Sequence, residues 1–243
     1  MRKHIPNGLT LGNLFFGCLS ITAAFHGQLP MAAWLILIAA MFDFFDGFAA
    51  RLLNARSPIG KELDSLADVV SFGLAPGVIL YHLLLQSENL PDLQLAGFQI
   101  IPFVGFLIPL FSALRLAKFN IDERQETVFY GLPTPANALF IASLPLLIAN
   151  VPEYNIFQAE FLGPLFSHAI TLIILSLVLS YLLVSEIPFI ALKFKSLVWS
   201  SNKPTYILLM GSLFFLIVLG IQAIPFILAF YIVVSFFSRN RIT

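Results

Sequence analysis

The fold class of this chain is decided by residues 31–53, which read MAAWLILIAAMFDFFDGFAARLL. The stretch opens with a long apolar run, and its length suits an α-helix that crosses a hydrocarbon layer of roughly 30 Å. A backbone that faces lipid must satisfy its own hydrogen bonds, so such a block predicts a membrane-spanning helix. Two aspartates near its end, Asp43 and Asp46, interrupt the apolar pattern and call for a separate explanation.

Similar apolar blocks, separated by polar residues, recur along the sequence. Hydrophobic residues make up 59% of the 243 residues and charged residues only 11%, whereas soluble domains carry roughly 25% charged residues. We therefore predict an all-α integral membrane protein with about eight transmembrane helices, in one membrane domain covering residues 1–243. The predicted spans are 8–26, 31–53, 63–85, 96–119, 133–151, 162–190, 204–220 and 222–238. The sixth span is long enough to project beyond the bilayer and to break at Pro188.

The distribution of basic residues predicts the orientation of these spans. If the N-terminus is cytoplasmic, all 13 lysines and arginines fall on the cytoplasmic side. The charged residues in the loops on the opposite side are all acidic, namely Glu88, Asp92, Glu153 and Glu160. This segregation follows the positive-inside rule. It predicts a protein of the cell membrane with both termini in the cytoplasm.

The second and third predicted spans carry four aspartates, Asp43, Asp46, Asp64 and Asp68. Within each helix the two aspartates are three or four positions apart and therefore share a face. The connection between the helices, residues 54–60, is short enough to make them antiparallel neighbours. Both carboxylate pairs should then meet at the cytoplasmic end of the two helices.

Carboxylates inside a membrane protein are costly and usually mark a functional site. Four that converge would repel one another unless protons or cations offset their charge. Hard divalent ions such as Mg²⁺ or Mn²⁺ prefer oxygen ligands and often share them with substrate phosphates. Two other interpretations remain open: ion pairs with Arg51, Arg56 and Lys61 at the interface, or the ion pathway of an ion-coupled transporter.

Together these residues resemble the signature of the CDP-alcohol phosphotransferase family, D-x-x-D-G-x-x-A-R and, eight residues later, G-x-x-x-D-x-x-x-D. Every fixed position is present. The resemblance implies a site for two divalent ions formed by Asp43, Asp46, Asp64 and Asp68. It implies that Asp68 is also the base that activates the acceptor hydroxyl. It implies binding of the nucleotide and diphosphate by Gly47, Ala50, Arg51 and Gly60. A homodimer is also implied.

Three further stretches, residues 60–73, 113–120 and 129–136, resemble the multi-spanning phosphatidylserine synthases of that family. This resemblance implies CDP-diacylglycerol and L-serine as substrates, in contact with membrane lipid, and no nucleic acid partner. The alternatives are the same chemistry with glycerol 3-phosphate or inositol phosphate as acceptor. Those acceptors carry phosphate and should require more basic residues around the site.

Further candidates for substrate binding lie in the fourth and first spans. The fourth span ends in Arg115, Lys118 and Asn120. Its cations could attract the carboxylate of serine or the lipid diphosphate, although cytoplasmic loops also collect basic residues for topology alone. The first span repeats polar side chains at intervals of three: Asn7, Thr10 and Asn13. These side chains either line the nucleotide pocket or form hydrogen bonds with neighbouring helices.

Overall fold

The computed structural model describes residues 4–55, 57–122, 129–149, 162–190 and 199–242, and most of these are helical. The helices are α1 (Ile5–Phe25), α2 (Leu29–Leu52), α3 (Pro58–Asp68), α4 (Ala75–Leu85), α5 (Leu107–Ile121), α6 (Thr134–Ile148), α7 (Leu162–Ser167), α8 (Ala169–Val184), α9 (Trp199–Leu219) and α10 (Ala223–Ile242). A π-helical segment, Val69–Leu74, joins α3 to α4, and the 3₁₀ segments are Ile101–Phe106 and Gly220–Gln222.

Four helical stretches are long and apolar enough to cross a membrane: Ile5–Phe25, Leu29–Leu52, Pro58–Leu85 and Ile101–Ile121. Four shorter apolar helices follow: Thr134–Ile148, Ala169–Val184, Lys203–Leu219 and Ala223–Ser238. The predicted all-α membrane fold is confirmed, and the predicted number of eight helices holds approximately. Part of the charge argument rests on residues that lie outside the described ones, namely Arg2, Lys3, Arg56, Arg124, Glu153, Glu160, Lys193 and Lys195.

The predicted boundaries of the third and fourth spans were wrong at their N-termini. The third helix begins at Pro58 rather than at residue 63, because Ser57 caps it by accepting a hydrogen bond from the Gly60 amide at 3.1 Å. The fourth begins at Ile101 rather than at residue 96. The preceding residues form a short hairpin of β1 (Gln94–Leu95) and β2 (Phe98–Gln99) instead.

The predicted end of the sixth span was also wrong. Helix α8 ends at Val184, and residues 188 and 189 form strand β4 (Pro188–Phe189), which pairs antiparallel with β3 (Phe129–Tyr130). Proline lacks an amide hydrogen and tolerates an edge strand better than a helix interior. The consequence is that the segment before α6 and the segment after α8 are held side by side.

The π segment lies between α1 and α5, directly after Asp68 on the same continuous helical stretch. On its α1 side the Ser71 hydroxyl donates to the Asn13 carbonyl at 2.9 Å. A Cβ on Gly17 would lie only 2.8 Å from the Ser71 Cα, so glycine is what allows this approach. Single-turn π segments inside α-helices occur frequently at functional sites. Here the segment fixes α1 against the helix that carries two of the four aspartates.

Candidate active site

Three of the predicted carboxylates converge where α2 meets α3. One oxygen each from Asp43, Asp64 and Asp68 lies within 4.8 Å of the others. Asp68 is buried and the other two are half-buried. Three carboxylates at this spacing, largely removed from water, need a cation or protons to offset their repulsion. An all-oxygen donor set of this kind fits a hard divalent ion such as Mg²⁺ or Mn²⁺.

Asp46 is buried but stands apart from this cluster of three oxygens. Three residues along an α-helix correspond to a rotation of about 300°, which places Asp46 roughly 60° around the helix from Asp43. Its carboxylate therefore faces α1, where the Thr10 hydroxyl donates to Oδ2 at 2.6 Å. The four aspartates predicted as one site are thus arranged as three converging groups and one neighbour held by α1.

Helix α1 contributes a second contact to the acidic site through Asn13. The side chain of Asn13 is fully buried, and its Nδ2 donates to Oδ1 of Asp68 at 3.3 Å. Its Oδ1 is also buried and finds no hydrogen-bond partner among the described residues. Of the two sequence-based interpretations of the α1 residues, bonding to a neighbouring helix describes Asn13, and both interpretations describe Thr10, which also lines the cavity described next. The partners of the two side chains are Asp46 and Asp68.

A cavity of about 510 Å³ opens beside the carboxylates, between the start of α1, the end of α2 and the start of α3. It is lined by Pro6, Asn7, Thr10, Asp46, Gly47, Ala50, Ala55, Ser57, Pro58, Gly60, Lys61 and Asp64. Five predicted substrate or nucleotide residues are among them: Asn7, Thr10, Gly47, Ala50 and Gly60. A Cβ at Gly47 would meet no atom within 4 Å, so this glycine faces open space. The cavity has room for a ligand close to the helix backbone.

Two predicted residues occupy other positions. Arg51 does not line the described cavity; its exposed side chain turns back along α2, and its Nε donates to the Gly47 carbonyl at 3.0 Å. Asn120 joins α5 to α3, because its Nδ2 donates to the Ser65 hydroxyl at 2.9 Å and its carbonyl accepts from Lys61 Nζ at 3.0 Å. In the structure Asn120 therefore has a helix-packing role.

Arg115 is the one lysine or arginine that is buried among the described residues. Only 6% of its surface is exposed, and one guanidinium nitrogen donates to the Thr134 hydroxyl on α6 at 2.9 Å. The guanidinium also lies over the ring of Phe119, 5.7 Å from its centroid, and it interacts electrostatically with Asp68. Its Nε is buried and has no hydrogen-bond partner within the described part of the chain. Arg115 thus links the acidic site to the start of α6.

A second, smaller cavity of about 40 Å³ is lined in part by Arg115. Its lining comprises Arg115, Lys118, Asp122, Tyr130, Leu183, Val184, Ser185 and Glu186. Sequence reasoning singled out the two cations but missed the other polar groups. Glu186 lies two residues before β4, which pairs with the distant β3, and no local sequence pattern predicts that pairing.

The larger cavity also contains a residue that sequence reasoning missed, Ser57. It could have been found, since serine before proline is a typical start of a helix.

The third described cavity, of about 450 Å³, lies among α6, α9 and α10. Its lining is almost entirely apolar, apart from Ser212 and the hydroxyl of Tyr231. That hydroxyl is already engaged, because it donates to the Ile190 carbonyl at 3.0 Å. This cavity offers no carboxylate and no cation, so it is unsuited to a metal ion or a phosphate.

Comparisons with known proteins agree with this arrangement. A family model described as CDP-alcohol phosphatidyltransferase matches residues 3–182. The CDP-diacylglycerol–serine O-phosphatidyltransferase of Bacillus subtilis (strain 168) is 36% identical over 156 residues, which cover 60% of this chain and 81% of the relative. The enzyme of the same name from Helicobacter pylori (strain J99) is 39% identical over 144 residues, covering 58% of this chain and 57% of the relative.

A third relative carries the name archaetidylserine synthase. This protein of Methanothermobacter thermautotrophicus is 37% identical over 145 residues, covering 58% of this chain and 58% of the relative. The match therefore spans less than two thirds of the Helicobacter and Methanothermobacter relatives, but most of the Bacillus one. The part of the chain that the family model covers includes all four aspartates.

Proposed function

The chain belongs to the CDP-alcohol phosphatidyltransferase family, and from this premise we propose that it transfers the phosphatidyl group of CDP-diacylglycerol to L-serine. The products are phosphatidylserine and CMP. The observation that carries the proposal is the convergence of Asp43, Asp64 and Asp68 beside a cavity large enough for a nucleotide. The names of the Bacillus and Helicobacter relatives support serine as the acceptor.

The proposed metal ligands are Asp43, Asp46, Asp64 and Asp68. Two ions, Mg²⁺ or Mn²⁺, would supply positive charge that offsets the diphosphate and the departing CMP. The convergence of three carboxylates supports this assignment. Thr10 and Asn13 orient Asp46 and Asp68 through the hydrogen bonds described above.

In the proposed reaction the cytidine diphosphate part of the lipid occupies the larger cavity. Gly47, Ala50 and Gly60 leave room for it near the backbone, and Lys61 adds a cation at the rim. Asp68 accepts the proton of the serine hydroxyl, and that oxygen forms a bond to the lipid-side phosphorus. The bond from this phosphorus to the CMP oxygen breaks, so the transfer is a direct displacement without a covalent enzyme intermediate.

The proposed setting is the cell membrane, with a single membrane domain, both termini and the active site on the cytoplasmic side, and two chains in a homodimer. The acyl chains of CDP-diacylglycerol remain in lipid while its head group enters the site sideways. Segregation of lysine and arginine in the sequence supports the orientation. The apolar character of the four long helices supports a membrane location.

The proposal is tested by CMP release from CDP-diacylglycerol with the purified protein in detergent. Serine, glycerol 3-phosphate and inositol phosphate are compared side by side, with and without a chelator of divalent ions. We expect release that depends on the metal and is fastest with serine. Faster release with either phosphorylated acceptor would refute the serine assignment, and the absence of metal-dependent CMP release would favour the transporter alternative.

A further inference from the structure

The small cavity beside Arg115 has an unusual balance of charge. Of the described residues that line it, two are cations, Arg115 and Lys118, and two are acids, Asp122 and Glu186. A pocket for a phosphorylated acceptor would be expected to carry an excess of cations, because phosphate brings negative charge alone. Equal numbers of opposite charges instead suit a ligand that is itself a zwitterion.

The size of the cavity agrees with such a ligand. Its 40 Å³ can hold about three water-sized groups. The carboxylate of an amino acid has three heavy atoms and thus requires about this space. The ring of inositol phosphate would not fit without displacement of the walls.

Arg115 supplies an independent indication of a ligand. It is more than nine-tenths buried, it lines the cavity, and its Nε has no hydrogen-bond partner among the residues that the structure describes. A buried donor without a partner costs roughly 1–3 kcal/mol, so such groups usually bind something. The same guanidinium interacts electrostatically with Asp68. A carboxylate bound to Arg115 would therefore lie close to the proposed catalytic base.

Backbone hydrogen bonds hold the segment that carries Glu186 beside the segment that carries Tyr130. The Gly131 amide donates to the Ile187 carbonyl at 3.0 Å, and the Leu132 amide donates to the Leu182 carbonyl at 2.8 Å. These bonds, together with the β3–β4 pairing, bring Tyr130 and Glu186 into the lining of one small cavity. The pocket is thus built from α5 and from two segments that are distant in sequence.

We propose that this cavity, which we call the zwitterion cavity, binds the head group of the acceptor amino acid. Arg115 and Lys118 bind its carboxylate, and Asp122 and Glu186 bind its ammonium. Selection of serine over phosphorylated alcohols then resides in the two acids as much as in the two cations. The proposal rests on the proposed function and specifies the residues that recognise serine.

The test measures KM for serine and for CDP-diacylglycerol in three variants: Asp122→Asn, Glu186→Gln and the double variant. The control is Glu62→Gln, an exposed acid on α3 that lines none of the described cavities. Two further acceptors separate the charges of serine, since ethanolamine lacks the carboxylate and 3-hydroxypropionate lacks the ammonium. Elution in size-exclusion chromatography establishes that each variant is folded.

We expect KM for serine to rise roughly tenfold to a hundredfold in the double variant, because charge-assisted contacts are lost. KM for CDP-diacylglycerol should stay as in the control, and the preference for serine over 3-hydroxypropionate should shrink. An unchanged KM for serine, or equal rises in both KM values, would overturn the zwitterion cavity while serine transfer itself stands. If the wild-type protein prefers glycerol 3-phosphate as acceptor, the proposed function itself fails. The wild-type measurement alone shows this, so the two failures are distinguishable.

Discussion

Substitution of Thr10 by valine tests whether α1 is part of the acidic site. Valine keeps the branched shape of threonine but removes the hydroxyl that donates to Asp46 Oδ2 at 2.6 Å. Asp46 is buried, with 6% of its surface exposed, so water cannot easily replace the lost donor. A hydrogen bond to a charged group contributes about 1.5–3 kcal/mol. At about 1.4 kcal/mol for each factor of ten, this corresponds to a tenfold to hundredfold change in an equilibrium constant.

We expect this change to appear in the dependence on metal rather than in folding. Without its donor the Asp46 carboxylate is free to turn away from the site, so Thr10→Val should need roughly ten to a hundred times more Mg²⁺ or Mn²⁺ for half-maximal CMP release. Turnover at saturating metal should be much less affected. The assay is CMP release titrated with metal at fixed CDP-diacylglycerol and serine.

Helix α1 provides a matched control for this experiment. Thr22 donates to the Cys18 carbonyl of its own helix at 3.0 Å and is exposed. Thr22→Val therefore makes the same chemical change twelve residues further along α1. Its metal titration should match that of the wild type. If the two variants give the same titration curve while both elute as folded protein, Thr10 does not support a metal ligand and the reasoning is refuted.

Two further predictions concern the metal ligands and the turn before α6. Asp43→Asn and Asp64→Asn each remove a charged oxygen, so bound Mn²⁺, measured by electron paramagnetic resonance, and CMP release should both fall by orders of magnitude; normal Mn²⁺ binding in both variants would contradict the assignment. Gly131→Ala should lower the melting temperature more than Gly97→Ala, because both glycines have positive φ but only a Cβ at Gly131 would collide with the Leu183 carbonyl. Equal melting temperatures in the two alanine variants would show that the close approach of the Leu183 carbonyl to Gly131 does not affect stability.

The helices of this fold were predictable because the lipid environment leaves few alternatives. A long apolar block must satisfy its backbone internally, so its length alone indicates a spanning helix. The ends of the helices were less accessible to this reasoning. Strand β4 at residues 188–189 exists because β3 provides its partner, nearly sixty residues earlier in the chain. A hydropathy pattern contains no information about such a pair.

The site shows the same division between local and distant contacts. The convergence of Asp43 with Asp64 and Asp68 followed from two periodicities and one short connection, all within 26 residues of sequence. The hydrogen bond that Thr10 donates to Asp46 was not predictable from the sequence, because it depends on how α1 packs on α2. The burial of Arg115 against Thr134 depends on how α5 packs on α6. That packing emerges only in the folded molecule.

The π segment after Asp68 imposes a constraint of length on the chain. Each residue of an α-helix advances the side chains by about 100°, and a π segment accommodates an extra residue within its turn. Deleting one residue from Val69–Leu74 would restore regular winding and leave α3 and α4 in nearly the same relative orientation, whereas one residue added beyond the extra one already present would rotate α3 by about that angle relative to α4. Helix α4 is fixed in the core by Ile79, Leu80 and Leu84, which are all fully buried. After such an insertion the aspartates of α3 would turn away from Asp43 with every ligand still present, so this stretch should accept substitutions far more readily than an added residue.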